Sequence, residues 1–209
     1  LRDNGTALDP EQVLQRIRPV ETMADALADA EYMQESGPES LEVRSALFAE
    51  MDRLAPPTAI LASSSSHYHT SLFAEKVAGR HRCLVAHPVN PPHLIPLVEI
   101  SGAPFTEDWA VEGAYELMAA INQVPVKILK EIDGFVLNRV QAAVLSEGFK
   151  LIADGYITAE DFDKTLKDGL AFRWSVIGPM AAIELNAPAG LADYVRRGSP
   201  FFKRYLASV

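Results

Sequence analysis

The sequence contains a single cysteine, Cys83, in 209 residues. That excludes a disulfide framework, and the position of Cys83 inside an apolar run reads as a buried thiol. No apolar run approaches the roughly 18 residues that a bilayer-spanning helix requires, and no signal peptide is recognisable. Positive charge is scarce: 19 Lys and Arg stand against 28 Asp and Glu, a formal net charge of −9, which argues against a nucleic-acid surface. The expectation is a cytoplasmic globular protein with neither membrane nor nucleic acid as partner. The chain opens on Leu1, in a polar segment, rather than on Met, so it is expected to be part of a longer protein. Hydrophobic residues make up 48% of the chain, enough for one large or two small domains.

What is present centres on Arg82 to Pro92 and the following Leu97-Val98-Glu99-Ile100. Cys83 to Ala86 is apolar without a break, the pattern of a central strand buried on both faces. It delivers His87 and then Asn90 at its carboxyl end, where open α/β sheets bind ligands. Glu99 falls in a second strand-like run, Leu94 to Ile100, and a carboxylate on a neighbouring strand can hold a histidine in one tautomer.

Upstream, Pro10 can open a helix running to Arg16, and Thr22 to Ala30 reads as a short helix of small residues. Glu31 to Glu35 is a weak strand. From Pro38 the spacing of Leu47, Phe48, Met51 and Leu54 predicts a helix that Pro56-Pro57 ends. Ala59 to Ala62 is a short strand leading into the hydroxyl-rich Ser63 to Ser66, and Thr70 is the expected cap of a helix to Val77. Downstream, Thr106 is the expected cap of a helix that buries Ala114, Leu117, Met118 and Ile121, and Val124 to Leu129 is a strand. This alternation predicts an α/β domain.

Strand patterns cease near residue 130. A long apolar helix follows, containing Val136, Val140, Val144 and Leu145 and ending near Asp154-Gly155. Thr158 with Asp161 caps a short helix, Gly169 to Gly178 reads as a loop, and two short helices close the chain. The predicted domains are 1–130 and 131–209, the second all-α. Its small size and apolar stretches, such as Met180 to Leu185, predict a two-fold homodimer.

Three chemistries fit the polar residues. All five histidines lie between His67 and His93, but their spacing matches no zinc motif and no Cys, Asp or Glu stands at ligand spacing among them, so no metal is expected. Ser66, His87 and Glu99 could form a hydrolytic triad, although no Gly-x-Ser-x-Gly elbow occurs. The third reading is acid–base chemistry by His87 backed by Glu99.

Ser66, His87-Pro88-Val89-Asn90-Pro91, Leu97-Val98-Glu99 and Gly134-Phe135-Val136-Leu137-Asn138-Arg139, in this order, closely resemble the 3-hydroxyacyl-CoA dehydrogenases, nearest the branch of lambda-crystallin and L-gulonate 3-dehydrogenase. The resemblance implies NAD as cofactor. It also implies a catalytic set of His87 as base, Glu99 as its orienting carboxylate, and Ser66 and Asn138 on the reacting substrate. Glu39 and Arg44, with Ser66 and Asn90, would lie along the cofactor. Arg44 stands where the family usually has Lys. Arg173-Trp174 stands where the fatty-acyl branch has Pro-Met, so Arg173 is the expected selector of a small hydroxy acid over an acyl-CoA. A surface Arg stacked on Trp174 is the alternative.

One departure is large. The family's opening Gly-x-Gly-x-x-Gly, where a helix N-terminus takes the pyrophosphate, is absent from this sequence, as is the acidic ribose ligand after the second strand. The expected fold is therefore a partial Rossmann-type nucleotide domain, its N-terminal half missing, followed by an all-α domain. The expected function is NAD-dependent oxidation of a 3-hydroxy group, on a small acid such as L-gulonate. A 3-hydroxyacyl-CoA substrate, or a non-catalytic crystallin-like role, is the alternative.

Overall fold

The computed structural model describes residues 9–187 and 189–207; the first eight residues of the polar opening lie outside them. The chain divides into two compact units, Leu1–Asn138 and Arg139–Val209.

The first unit is built on five strands in sequential order: β1 (Tyr32–Glu35), β2 (Ile60–Ser63), β3 (Cys83–Pro88), β4 (Leu97–Gly102) and β5 (Val124–Ile128). β1, β2 and β3 are parallel, β3 and β4 antiparallel, and β4 and β5 parallel again. The apolar strand predicted from Cys83 is central and buried. Its alternate residues feed two cores. Cys83 and Val85 join Leu61, Phe48, Phe73 and Phe135 on one face, while Leu84 and Ala86 join Ile60, Val98, Ile100 and Met118 on the other. His87, next in the alternation after Ala86, therefore falls on the Phe135 face.

Two short helices, α1 (Pro10–Leu14) and α2 (Met23–Leu27), precede the sheet. Asp9 caps α1, and Thr22, expected as the first residue of the short helix, is instead the cap of α2 and accepts the Asp25 N–H. α3 (Leu41–Leu54) joins β1 to β2, with Ser40 at its N-cap. α4 (Thr70–Ala74) and a 3-10 turn, Arg80–Arg82, join β2 to β3, and α5 (Asp108–Ala120) joins β4 to β5.

Several local expectations are corrected. Thr70 does not cap α4: His69 holds that position, and the Thr70 hydroxyl donates instead to the Ser101 carbonyl of β4 at 3.2 Å. Thr106 likewise does not cap α5. Its hydroxyl donates to the Cys83 carbonyl at 2.7 Å and accepts the Ala103 N–H at 2.8 Å, leaving Glu107 at the N-cap. β4 begins at Leu97 rather than Leu94, because residues 91–95 turn on bonds from the Leu94 and Ile95 N–H groups to the Pro91 carbonyl. Ile121 ends the α5 face exposed. The Cys83 thiol is fully buried as expected. Burial pushes its pKa up to about 12, with the nearby Asp52 charge adding and Arg82 opposing.

From residue 135 the described structure is helical: α6 (Phe135–Ala153), α7 (Ala159–Lys164), α8 (Phe172–Val176), α9 (Pro179–Asn186) and α10 (Gly190–Ala207). The division between units falls inside α6, because its first residues bond to the first unit. Thr158 caps α7 through the Asp161 N–H as predicted. The expected loop from Gly169 is not one. Thr165–Ala171 is π-helical and runs directly into α8. A lone glycine costs a helix only about 1 kcal/mol, and no proline interrupts this stretch before Pro179, which opens α9. α10 is also longer than the short helix predicted and runs on through Pro200. Among the described residues no helix is long and apolar enough to cross a membrane.

Candidate active site

The antiparallel register of β3 on β4 places His87 directly opposite Glu99. Opposed residues project to the same face of the sheet within side-chain reach. The His87 Nδ1 lies 3.0 Å from Glu99 Oε2, with both side chains almost wholly buried. A carboxylate can only accept, so in the neutral imidazole Nδ1 carries the proton and donates it, and Nε2 presents its lone pair.

Glu99 is held from its other side by the start of α6. Its Oε1 accepts the backbone N–H groups of Val136 and Leu137, each at 2.9 Å. These N–H groups have no partner within the helix and sit at its positive end, where a carboxylate is stabilised. Burial pushes the Glu99 carboxyl up, but the His87 hydrogen bond and the Leu137 and Val136 N–H groups together outweigh it and hold the carboxyl below the usual carboxylate range.

One position beyond Leu137, the Asn138 amide donates to the Ser66 carbonyl at 3.1 Å. The start of α6 thus ties Glu99 of β4 to the loop after β2. Ser66 is held again through its own N–H, which donates to Glu39 Oε1 at 3.0 Å. Glu39 Oε2 accepts from Ser65 Oγ and from the Arg44 guanidinium at 3.1 Å. In Glu39, burial pushes the carboxyl up, and the Ser66 N–H, the Arg44 charge and the bonds from Arg44 and Ser65 override it, so the carboxyl sits below its usual range.

Arg44 is not a surface partner of Glu39. Its guanidinium is buried, with the side chain 1% exposed, and its Nε also donates to Glu35 Oε2 at 2.9 Å. Ser63 Oγ reaches the same Glu35 oxygen at 2.6 Å. Arg44 therefore lies behind Glu39, out of a ligand's reach, and fixes the carboxylate that fixes Ser66. Glu39, by contrast, has a side chain 40% exposed and retains acceptor capacity on Oε1. That fits a sugar hydroxyl at the carboxyl ends of the strands. Asn90 stands exposed just beyond β3.

Sequence reasoning missed Phe135, Glu35 and Ser65. Phe135 was visible only as a letter inside a longer motif. Its ring stacks on the His87 imidazole, with centroids 5.3 Å apart and planes inclined by 29°. Arg173 lies in the second unit, on α8, and is exposed. Among the described residues the cations seated over aromatic rings are Arg44, Arg80, Lys127 and Arg204, so Arg173 is not stacked on Trp174. The remaining histidines are dispersed: His69 sits 3.4 Å from Glu131, His81 lies beside Trp109, and His67 and His93 are exposed. Among the described residues no group of three or more His, Cys, Asp or Glu side chains is placed to hold a metal ion.

A buried His–Glu pair at the end of a strand, with the imidazole held in one tautomer, is an arrangement able to take up and release a proton. Residues 2–132 match the model of the 3-hydroxyacyl-CoA dehydrogenase NAD-binding domain and residues 134–207 that of the C-terminal domain, and the chain belongs to this family. It is 42% identical over 200 residues to the lambda-crystallin homolog of Rattus norvegicus, covering 96% of this chain and 62% of that protein. It is 36% identical over 188 residues to an L-carnitine dehydrogenase of Nocardiopsis dassonvillei, covering 90% of this chain and 57% of that one. The crystal structure of a 3-hydroxyacyl-CoA dehydrogenase from Archaeoglobus fulgidus superposes with a TM-score of 0.81 at 29% identity, over 94% of this chain and 66% of that one. The chain thus spans less than two thirds of the length of the curated relatives described here.

Proposed function

We propose that this chain carries the catalytic residues of an NAD-dependent dehydrogenase that oxidises a secondary 3-hydroxy group, with a small free hydroxy acid as substrate. The observation that carries the reading is the His87–Glu99 pair, 3.0 Å apart and buried at the carboxyl end of β3. Bound NAD would supply the acceptor for the hydride leaving the hydroxyl-bearing carbon. His87 Nε2 takes the hydroxyl proton as the carbonyl forms, and the imidazolium that results is stabilised by Glu99. Glu99 stays ionised through its N–H donors from α6 while it does so. Ser66 and Asn138, linked to each other and to the same helix start, hold the reacting hydroxyl in line. Glu39 would accept from a ribose hydroxyl, and Asn90 would hold the nicotinamide end. No Gly-x-Gly-x-x-Gly occurs in the 209 residues, so the pyrophosphate is not assigned to residues of this chain.

Arg173 supports the choice of a free acid. It lines a cavity of about 370 Å³ with Trp174, Ile183 and Tyr194, and no carboxylate pairs with it among the described residues. A guanidinium can take a carboxylate through two parallel bonds. The relative named L-carnitine dehydrogenase also bears the name of a free hydroxy acid. The test is NADH formation by the purified protein from L-gulonate, 3-hydroxybutyrate and 3-hydroxybutyryl-CoA. The free acids are expected to have the higher kcat/KM, and Arg173→Met to reduce it for them alone by about 1.5 to 3 kcal/mol, the worth of a charged hydrogen bond. A preferred CoA thioester, with free-acid rates untouched by Arg173→Met, would reject the substrate assignment.

The assembly belongs to the same proposal. Among the described residues from 139 onward only Gly148 and Ala187 are buried, while Val140, Phe149, Met180 and Leu185 are more than half exposed. Apolar helix faces of this kind are commonly covered by an isologous contact. Sedimentation equilibrium at micromolar concentration should give twice the chain mass; a monomer would rule the dimer out.

A further inference from the structure

Phe135 has no assigned part in the chemistry, yet its ring meets His87 and the two residues after it bond Glu99. Its side chain is fully buried. Its ring lies against the face of the His87 imidazole, 5.3 Å between centroids, while Glu99 holds the same imidazole by its edge at Nδ1. The imidazole is thus held by a ring contact and by a hydrogen bond at Nδ1, from two different elements of the fold.

The backbone of Phe135 is equally unusual. Gly134 has φ +75° and Phe135 φ +50°. The first is routine for glycine. The second is an outlier for a bulky aromatic and persists only where its surroundings over-determine it. The consequence can be read directly. This left-handed step turns the chain from the link after β5 into α6, so that the next two N–H groups, those of Val136 and Leu137, both end on Glu99 Oε1. A glycine could make the step without strain but would leave the imidazole face uncovered. A right-handed phenylalanine would not deliver the two N–H groups.

We propose that Phe135 is a positioning residue for the His87–Glu99 pair: its ring sets the orientation of the imidazole, and its left-handed backbone sets the carboxylate. The inference rests on the dehydrogenase reading of this site and deepens it. Phe135 touches neither the reacting atoms nor the cofactor in this mechanism. It acts through His87, so its loss falls on the rate of the chemical step rather than on binding.

The experiment is Phe135→Leu, with Phe135→Met in its place if the leucine variant does not fold, and Phe135→Tyr as the ring-preserving control. Steady-state rates are normalised to folded protein and accompanied by NMR of the His87 ring nitrogens in 15N-histidine-labelled protein. A reacting group displaced by about an ångström can cost up to about a hundredfold. The leucine variant is accordingly expected to lose about ten- to a hundredfold in kcat with KM for the hydroxy acid within about threefold. Its His87 signals should broaden or double as the ring samples more than one orientation. Phe135→Tyr should keep a single sharp ring signal and kcat within about twofold of the parent, because the stacked face is retained. The proposal is overturned if Phe135→Leu melts earlier but keeps kcat per folded molecule and a sharp ring signal, since the residue would then be packing alone. It is equally overturned if Phe135→Tyr is as slow as Phe135→Leu. Failure of the underlying reading looks different: His87→Gln would then retain turnover.

Discussion

Replacing His87 by Gln is expected to cut turnover of a 3-hydroxy acid by about 10²- to 10⁴-fold, the usual worth of a positioned general base. Glutamine approximates the length of the imidazole and can still hydrogen-bond Glu99, so the strand register that pairs residues 87 and 99 has no reason to shift. What is lost is the lone pair at Nε2. A glutamine amide cannot hold a proton at neutral pH, so the hydroxyl must lose its proton to water as hydride departs. The loss is therefore expected in kcat and equally in kcat/KM, while binding of the dinucleotide, measured by fluorescence or calorimetry, stays within about twofold because the interaction removed is made in the transition state. Near-parental turnover in a correctly folded His87→Gln protein would remove His87 from the mechanism. A joint loss of turnover and dinucleotide binding would instead make His87 part of the cofactor site.

The second large effect is expected from Glu99→Gln, and it divides into two measurements. In turnover, the amide places an N–H where His87 Nδ1 now donates. The imidazole must then accept at Nδ1 and carry its proton on Nε2, the nitrogen that should receive the substrate proton. In hydrolases built on the same carboxylate–imidazole logic, this exchange of tautomer costs about 10⁴ in kcat, and a loss of about 10² or more is expected here. In stability, the sign follows from the lowered carboxyl pKa. Glu99 binds its proton less readily in the folded protein than in the unfolded chain, where a value near 4.5 applies. Its contribution to stability is therefore fully present above that range and is lost as pH falls through the lower folded-state value. Thermal melts of the parent should drop on acidification through this window, and Glu99→Gln should begin lower at neutral pH and fall less steeply. Glu39, also held low, leaves a residual slope in both proteins. Parallel melting curves for parent and variant would show that Glu99 does not titrate with folding, and an unchanged rate would separate it from His87.

Some of this protein was decided by the sequence alone, and the reason is locality. Cys83 to Ala86 had to be a central strand because an unbroken apolar run of that length has no other place in a sheet, and alternation then sent His87 to the strand end. The helix start at Thr158 could be read because its hydroxyl takes an N–H three residues on, a partner written into the adjacent sequence. The order of strands and helices followed from the same short-range patterns, and the dyad from a spacing recognised as a family resemblance.

Tertiary structure decided what required a distant partner. Thr70 and Thr106 look like caps by the same local rule, but carbonyls 31 and 23 residues away, on β4 and β3, claimed their hydroxyls. A hydroxyl drawn into the interior must find its partner there, whereas a helix-end N–H can be met by water. Arg44 is expected along the cofactor, but Glu35 of β1 and Glu39 of the loop before α3 draw it inside as a buried, doubly paired charge. The antiparallel turn of β4 against β3 sets residues 87 and 99 face to face, although a spacing of twelve would suit other registers. Phe135 is the extreme case. Nothing in its neighbours announces a left-handed aromatic, because only the joint demands of a histidine face, a carboxylate and two helix N–H groups, brought together by the fold, hold it there.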